Sequence, residues 1–89
     1  MMELAFSNRF FDDTEGFELE AKQDEILNAI DLLSSVPEMG SRRVPASIEQ
    51  EFGPCVRKLV VKPFLVIYEI IEDEGLLYMH GLVHQRQAK

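Results

Sequence analysis

A chain of 89 residues has room for one domain, 1–89, and one core, and its 46% hydrophobic content is enough to order it, which excludes disorder, linkers and a second domain. Its 16 acidic and 9 basic residues leave a net charge of −7, which argues against a general nucleic-acid binder, because nonspecific affinity rests on cations neutralising phosphates. A single cysteine, Cys55, permits no internal disulfide and makes a structural zinc site improbable. No apolar run approaches the roughly 20 residues of a membrane helix, and the start MMELAFSNRF lacks the pattern of a secretion signal, so the expected location is the cytoplasm.

Glu3 to Ser7 alternates weakly and predicts a short strand with Leu4 and Phe6 on one face. Asn8 to Phe17 carries Phe10, Phe11 and Phe17 among polar residues, the pattern of a short helix or helical turn that drops rings into a core before Gly16. From Leu19 to Ser35 the spacing of Leu19, Ile26, Ile30 and Leu33 predicts an amphipathic helix. Acidic residues crowd its N-terminal half, where the helix dipole favours them. Pro37 and Gly40 end it. Ser41 to Pro54 is irregular, with one helical turn expected at Ser47 to Gln50 from the Ser-x-x-Gln spacing of a capping box.

The rest of the β-type residues fall into three runs: Val56 to Val61, Phe64 to Ile71 and Leu76 to His84. The connections, Lys62-Pro63 and the acidic turn Glu72 to Gly75, are too short to cross over, so the three strands form an antiparallel meander. Together with the N-terminal strand this predicts an α+β fold: an antiparallel sheet with one or two helices packed on one face. In the last strand the odd positions Leu77, Met79, Gly81 and Val83 suit the helix side. The even positions Tyr78, His80, Leu82, His84 and then Arg86 carry the polar rings and the cation, and mark the other face as the working one.

Pro37-Glu38-Met39-Gly40 after a helix, Val56-Arg57-Lys58-Leu59, Phe64 to Ile70 with its Ile67-Tyr68 pair, and the terminal Val83-His84-Gln85-Arg86 together resemble the RelE/ParE superfamily of type II toxins. The family pattern is a Pro-x-x-Gly after the second helix, an Arg-x-Leu strand, a strand with a central tyrosine and a final His-x-Arg. The chain departs from it in a shorter helical region before Pro37 and in Leu65, where an arginine is common. The resemblance implies a compact toxin bound by a cognate antitoxin, with either DNA gyrase (ParE-like) or the ribosome and its mRNA (RelE-like) as target.

An RNA-cleaving member needs a cation for the scissile phosphate, a base for the ribose 2′-OH and an acid for the leaving oxygen. Arg57, His84 and Arg86 are the candidates for those roles, His84 because imidazole exchanges protons near neutral pH. Tyr68 matches the family tyrosine, but its parity favours a core position with a satisfied hydroxyl. The expected working face, Leu65, Ile67, Glu69, Tyr78, His80 and Leu82, is mostly apolar and short of cations. That composition favours burial of a protein partner, hence a gyrase-binding toxin, with an RelE-like mRNA endonuclease or an inactive antitoxin-binding module as alternatives. It also predicts a homodimer or a patch that a partner covers. No Gly-rich phosphate loop and no Cys/His metal spacing is present, so neither cofactor nor metal is implied.

Overall fold

The computed structural model describes residues 2–15 and 20–86. The expected Phe17 ring, the Leu19 end of the long helix and the Lys89 end of the tail lie outside the described residues. The chain runs β1 (Glu3–Phe6), α1 (Asn8–Glu15), α2 (Glu20–Ser35), a 3₁₀ turn (Pro37–Met39), α3 (Ala46–Phe52), β2 (Val56–Val61), β3 (Phe64–Ile71), a second 3₁₀ turn (Glu72–Glu74) and β4 (Leu76–His84). No described helix is long and apolar enough to cross a membrane.

β2, β3 and β4 form the expected antiparallel meander, and the four strands lie in the order β1-β4-β3-β2. The β3–β4 turn closes on Gly75, whose φ of 62° is left-handed and free of penalty only in glycine. β1 joins the sheet parallel to β4. The helices and two strands between them supply the long crossover that a parallel pair requires, so the sheet is mixed rather than wholly antiparallel.

The main core lies between the sheet and α1 and α2. Ile26, Ile30 and Leu33 of α2 and Phe10 of α1 pack on Val61, Phe64, Val66, Tyr68, Leu77, Met79 and Leu82, with Leu4 and Phe6 at the margin. Helical spacing in α2 thus meets strand alternation in β3 across one interface. The opposite face is not open. α3 crosses it, and Ile48, with Val44 and Phe52 beside it, seals Val56, Leu65, Ile67 and Val83 into a second core. Helices therefore cover both faces, where the sequence predicts them on one. β3 is apolar on both parities because it is the strand with a core on each side. α3 itself begins at Ala46 with Pro45 in the N-cap position and no side-chain cap. The Pro45 carbonyl accepts the N–H groups of Ile48 and Glu49, so the helix starts ahead of Ser47 rather than from it.

β4 does not alternate cleanly. Ile67 pairs with Gly81 but Tyr68 with Met79, which leaves His80 as an extra residue. Such a bulge reverses the parity of everything beyond it. Leu77 and Met79 face the main core as expected, but Leu82 joins them there, while Val83 turns to the second core. His84 pairs with Phe64 and so lies on the α2 side, opposite to Tyr78 and His80.

Candidate functional site

Tyr68 and the Pro37–Gly40 turn form one interlocked unit. The Tyr68 hydroxyl donates to the Pro37 carbonyl at 2.8 Å and accepts the Gly40 N–H at 3.0 Å, and the side chain is 0% exposed. Arg57 stands opposite Tyr68 and donates to the Gly40 carbonyl at 3.3 Å. The tyrosine, the proline turn and the strand arginine are thus partners in structure. Burial raises the Tyr68 hydroxyl above its ordinary value of 10.0; the Gly40 hydrogen bond and the Arg57 charge pull the other way, and Glu38 adds to the rise. Because the folded value lies above the unfolded one, this contribution is whole below about pH 10 and fades as pH climbs through the folded value. Tyr68→Phe is expected to cost about 1–3 kcal/mol at neutral pH, by stranding a buried N–H and carbonyl. It also removes part of the alkaline loss of stability, which denaturant unfolding at pH 7 and pH 10.5 would measure; equal stabilities of the two chains at pH 7 would refute the interlock.

The six residues expected to form a working face divide three ways. Leu65 and Ile67 are buried beneath α3, and Leu82 is buried in the main core after the bulge, so none of the three is available to a partner in this conformation. Glu69, Tyr78 and His80 remain together on the α3 side. His80 Nε2 lies 3.0 Å from Glu69 Oε1, and its ring stands edge-on to Tyr78 at 4.7 Å between centroids and to Phe52 at 6.0 Å. Arg9 of α1 closes the group. Its guanidinium lies 4.4 Å from the centre of the Phe52 ring, pairs with Glu51, and comes within 3.7 Å of Asp13.

α1 reaches this position because it takes over the outer edge of β4 where β1 ends. Ser7 N–H donates to the Met79 carbonyl, Ser7 Oγ donates to the His80 carbonyl at 2.7 Å, and Asp13 Oδ2 accepts the Leu82 N–H at 3.0 Å. The bulge is therefore held on both sides, by Ser7 just before the first helix and by Asp13 within it, a role for the two residues that no sequence motif announces. With carboxylates from Asp13, Glu51 and Glu69 against Arg9 and His80, the group fastens α1 and α3 to the sheet and offers little to a phosphate.

The remaining candidates lie at the far end of β4. Phe64 pairs with both Val61 and His84, which puts the Lys62–Pro63 turn beside the end of β4, and Gln85 N–H donates to the Pro63 carbonyl at 2.9 Å. His84 is half-buried, edge-on to Phe64 at 5.5 Å, and its Nδ1 accepts the backbone N–H of the exposed Arg86 at 3.1 Å. With Nδ1 acting as acceptor, the neutral ring carries its proton on Nε2 and presents a donor. Arg57 does not join this pair. It is about 13 Å from Val61 along β2, at the other end of the sheet. The cation that the topology does bring there is Lys62, which in sequence is only half of a strand break. Among the described residues no group of three or more His, Cys, Asp or Glu side chains could hold a metal ion.

No protein-family model matches the sequence, and no curated protein matches it. Solved structures do match. The isolated RelE toxin of Escherichia coli superposes with a TM-score of 0.72 at 11% identity, covering 94% of this chain and 84% of that one. A chain of the intact E. coli RelBE toxin–antitoxin complex gives 0.70 at 9% identity, covering 94% and 96%. YafQ from E. coli BL21(DE3) gives 0.62 at 18% identity, covering 98% and 97%. At these identities the likeness is one of fold: the chain has the RelE-type toxin fold, complete from β1 to β4.

Proposed function

We propose, from a fold shared with RelE over almost the whole of both chains, that this protein is a toxin of the RelE kind that cuts messenger RNA on the ribosome and is silenced by a cognate antitoxin. The observation that carries it is this coverage in both directions. The antitoxin part draws on RelE itself, which is found in an intact complex with RelB. The chemistry is assigned to the end of β4. In cleavage the ribose 2′-oxygen attacks phosphorus and passes its proton to solvent water, the bond from phosphorus to the 5′-oxygen breaks, and the leaving 5′-oxygen takes a proton from water, which leaves a 2′,3′-cyclic phosphate. Arg86 and Lys62 would neutralise the phosphate, and the Nε2–H of His84 would donate to a phosphoryl oxygen as charge builds there.

The gyrase-binding reading loses its main support, because the apolar face on which it rested is buried under α3. RelE and YafQ are among the solved neighbours. One observation favours a second reading, an inactive antitoxin-binding module: Arg57 is tied to the Gly40 carbonyl, far from His84.

Inducible expression in bacteria decides between them. Growth arrest with rapid mRNA cleavage is expected, and His84→Ala should slow cleavage on the order of 10²-fold with melting unchanged. Cleavage at the wild-type rate in His84→Ala would remove the assigned site. Expression that leaves growth untouched would favour the inactive module, and arrest with intact mRNA and induced DNA-damage signalling would return gyrase as the target.

A further inference from the structure

β2 is the outer strand of the sheet on one side. Its edge is covered only in part, by an isolated antiparallel bridge between Ser41 and Lys58. Continued antiparallel from that bridge, Arg42 comes level with Arg57 and Arg43 with Val56, next to Lys58 on the same edge, and Lys62 follows where the strand ends. Five of the chain's nine basic residues thus lie on one edge of a protein with 16 acids. Arg42, Arg43 and Lys62 are exposed, and Arg57 and Lys58 half-buried. Among the described residues none of the five has a carboxylate partner, whereas Arg9 and Lys22 both do.

Like charges facing each other on adjoining backbone segments are destabilising, and nearby carboxylates would relieve them at little cost. Lysines on an edge strand have a simpler use, which is to discourage pairing with another sheet. That accounts for Lys58 and Lys62. It does not account for Arg42 and Arg43, which lie on the segment that already covers the edge. Val60 stands between the two lysines and is 44% exposed, an apolar spot of the kind a ribose or base packs against.

We infer that the outer edge of β2 is a track for the sugar–phosphate backbone of single-stranded RNA, running from Arg42 and Arg43 past Lys58 to Lys62 and the end of β4. The assignment rests on the RNA-cleaving reading above, since it is His84 and Arg86 that the track leads to. From Arg57 to Lys62 the edge is about 16 Å long, enough for a few nucleotides. It also explains how a chain with a net charge of −7 engages a polyanion: the cations are gathered on one edge.

The test is binding of a labelled oligouridylate to the full chain by anisotropy, across a salt series. Replacing both arginines, Arg42→Ala with Arg43→Ala, is expected to weaken binding about tenfold at low salt and to lower the slope of log affinity against log salt by about 1.4, or 0.7 per lost phosphate contact on a single strand. Lys22→Ala, which removes an ion-paired cation on α2, should leave the slope unchanged. An unchanged slope in the arginine variant, or an equal loss in Lys22→Ala, overturns the track. So does binding of poly-glutamate in preference to the RNA, which would give the edge to an acidic protein segment. Cleavage in cells is scored separately: if mRNA stays intact while the oligonucleotide binds with the expected slopes, the proposed activity fails and the track stands.

Discussion

Gly40→Ala is expected to destabilise the chain by about 3 kcal/mol, the upper end of what overpacking a filled site usually costs, because its neighbours are rigid. Gly40 has φ −78° and ψ 164°, a conformation open to any residue, so the cost is one of space. A Cβ at this position would collide with the Tyr68 hydroxyl and would lie 2.7 Å from the Lys58 carbonyl oxygen. Neither neighbour can yield. The Tyr68 hydroxyl is fixed by Pro37 and by the Gly40 N–H itself, and the Lys58 carbonyl accepts the Ser41 N–H at 2.8 Å. In a domain of this size a loss of 3 kcal/mol lowers the melting temperature by roughly 12–24 °C. Adding Tyr68→Phe removes the clash with the hydroxyl and leaves those with the Lys58 carbonyl and with Cε1 of the ring, each at 2.7 Å, so the double variant should lose somewhat less than the sum of the two single ones. A Gly40→Ala chain that melts with the wild type would show that the turn is not locked against β2 and β3.

The same interlock explains why part of this fold is legible in the sequence. The Pro-x-x-Gly turn, the strand arginine and the central tyrosine are separate signals along the chain, yet in space they are one hydrogen-bonded unit, and recognising them together identifies the architecture. The meander is legible for a local reason, since two-residue and four-residue connections leave an antiparallel pair as the only outcome. What sits across the second face is not legible. α3 was foreseen as a single turn at Ser47 to Gln50, because seven residues ending at Gly53 carry few helix signals, and nothing local says that Ile48 will close the second face of the sheet.

The working face was misread through one residue. Alternation along Leu76 to His84 assumes an unbroken pleat, and the extra His80 shifts Leu82 to the main core and His84 to the α2 side. The signal that could have warned of it is Gly81, since a glycine inside a strand often marks a bulge. Arg57 is set by register: it faces Tyr68 while Val56 stands opposite Glu69, which turns the arginine to the Pro37–Gly40 turn and away from His84.

Ile67→Asn separates a buried second face from an open one. Ile67 is 0% exposed, packed among Ile48, Val56, Leu65 and Val83, with Lys58 and Gly81 as its cross-strand neighbours. Asparagine is the better probe than aspartate, because Lys58 directly across could pair with a carboxylate and mask the penalty. The loss of a buried isoleucine costs about 2–3 kcal/mol in apolar transfer. An amide with no partner in that pocket adds about 1–3 kcal/mol on the scale of protein mutations. A total near 4–5 kcal/mol is comparable to the whole stability of a small domain, so the chain should be largely unfolded at 37 °C by circular dichroism. Were α3 to leave the face open in solution, the same substitution would leave melting almost unchanged and weaken only the binding of a partner. Ile48→Ala reports on the cover itself, since truncating the α3 anchor should cost about 2–4 kcal/mol. A chain that tolerates both substitutions would have its second face exposed, and the apolar docking surface expected from Leu65 and Ile67 would be restored.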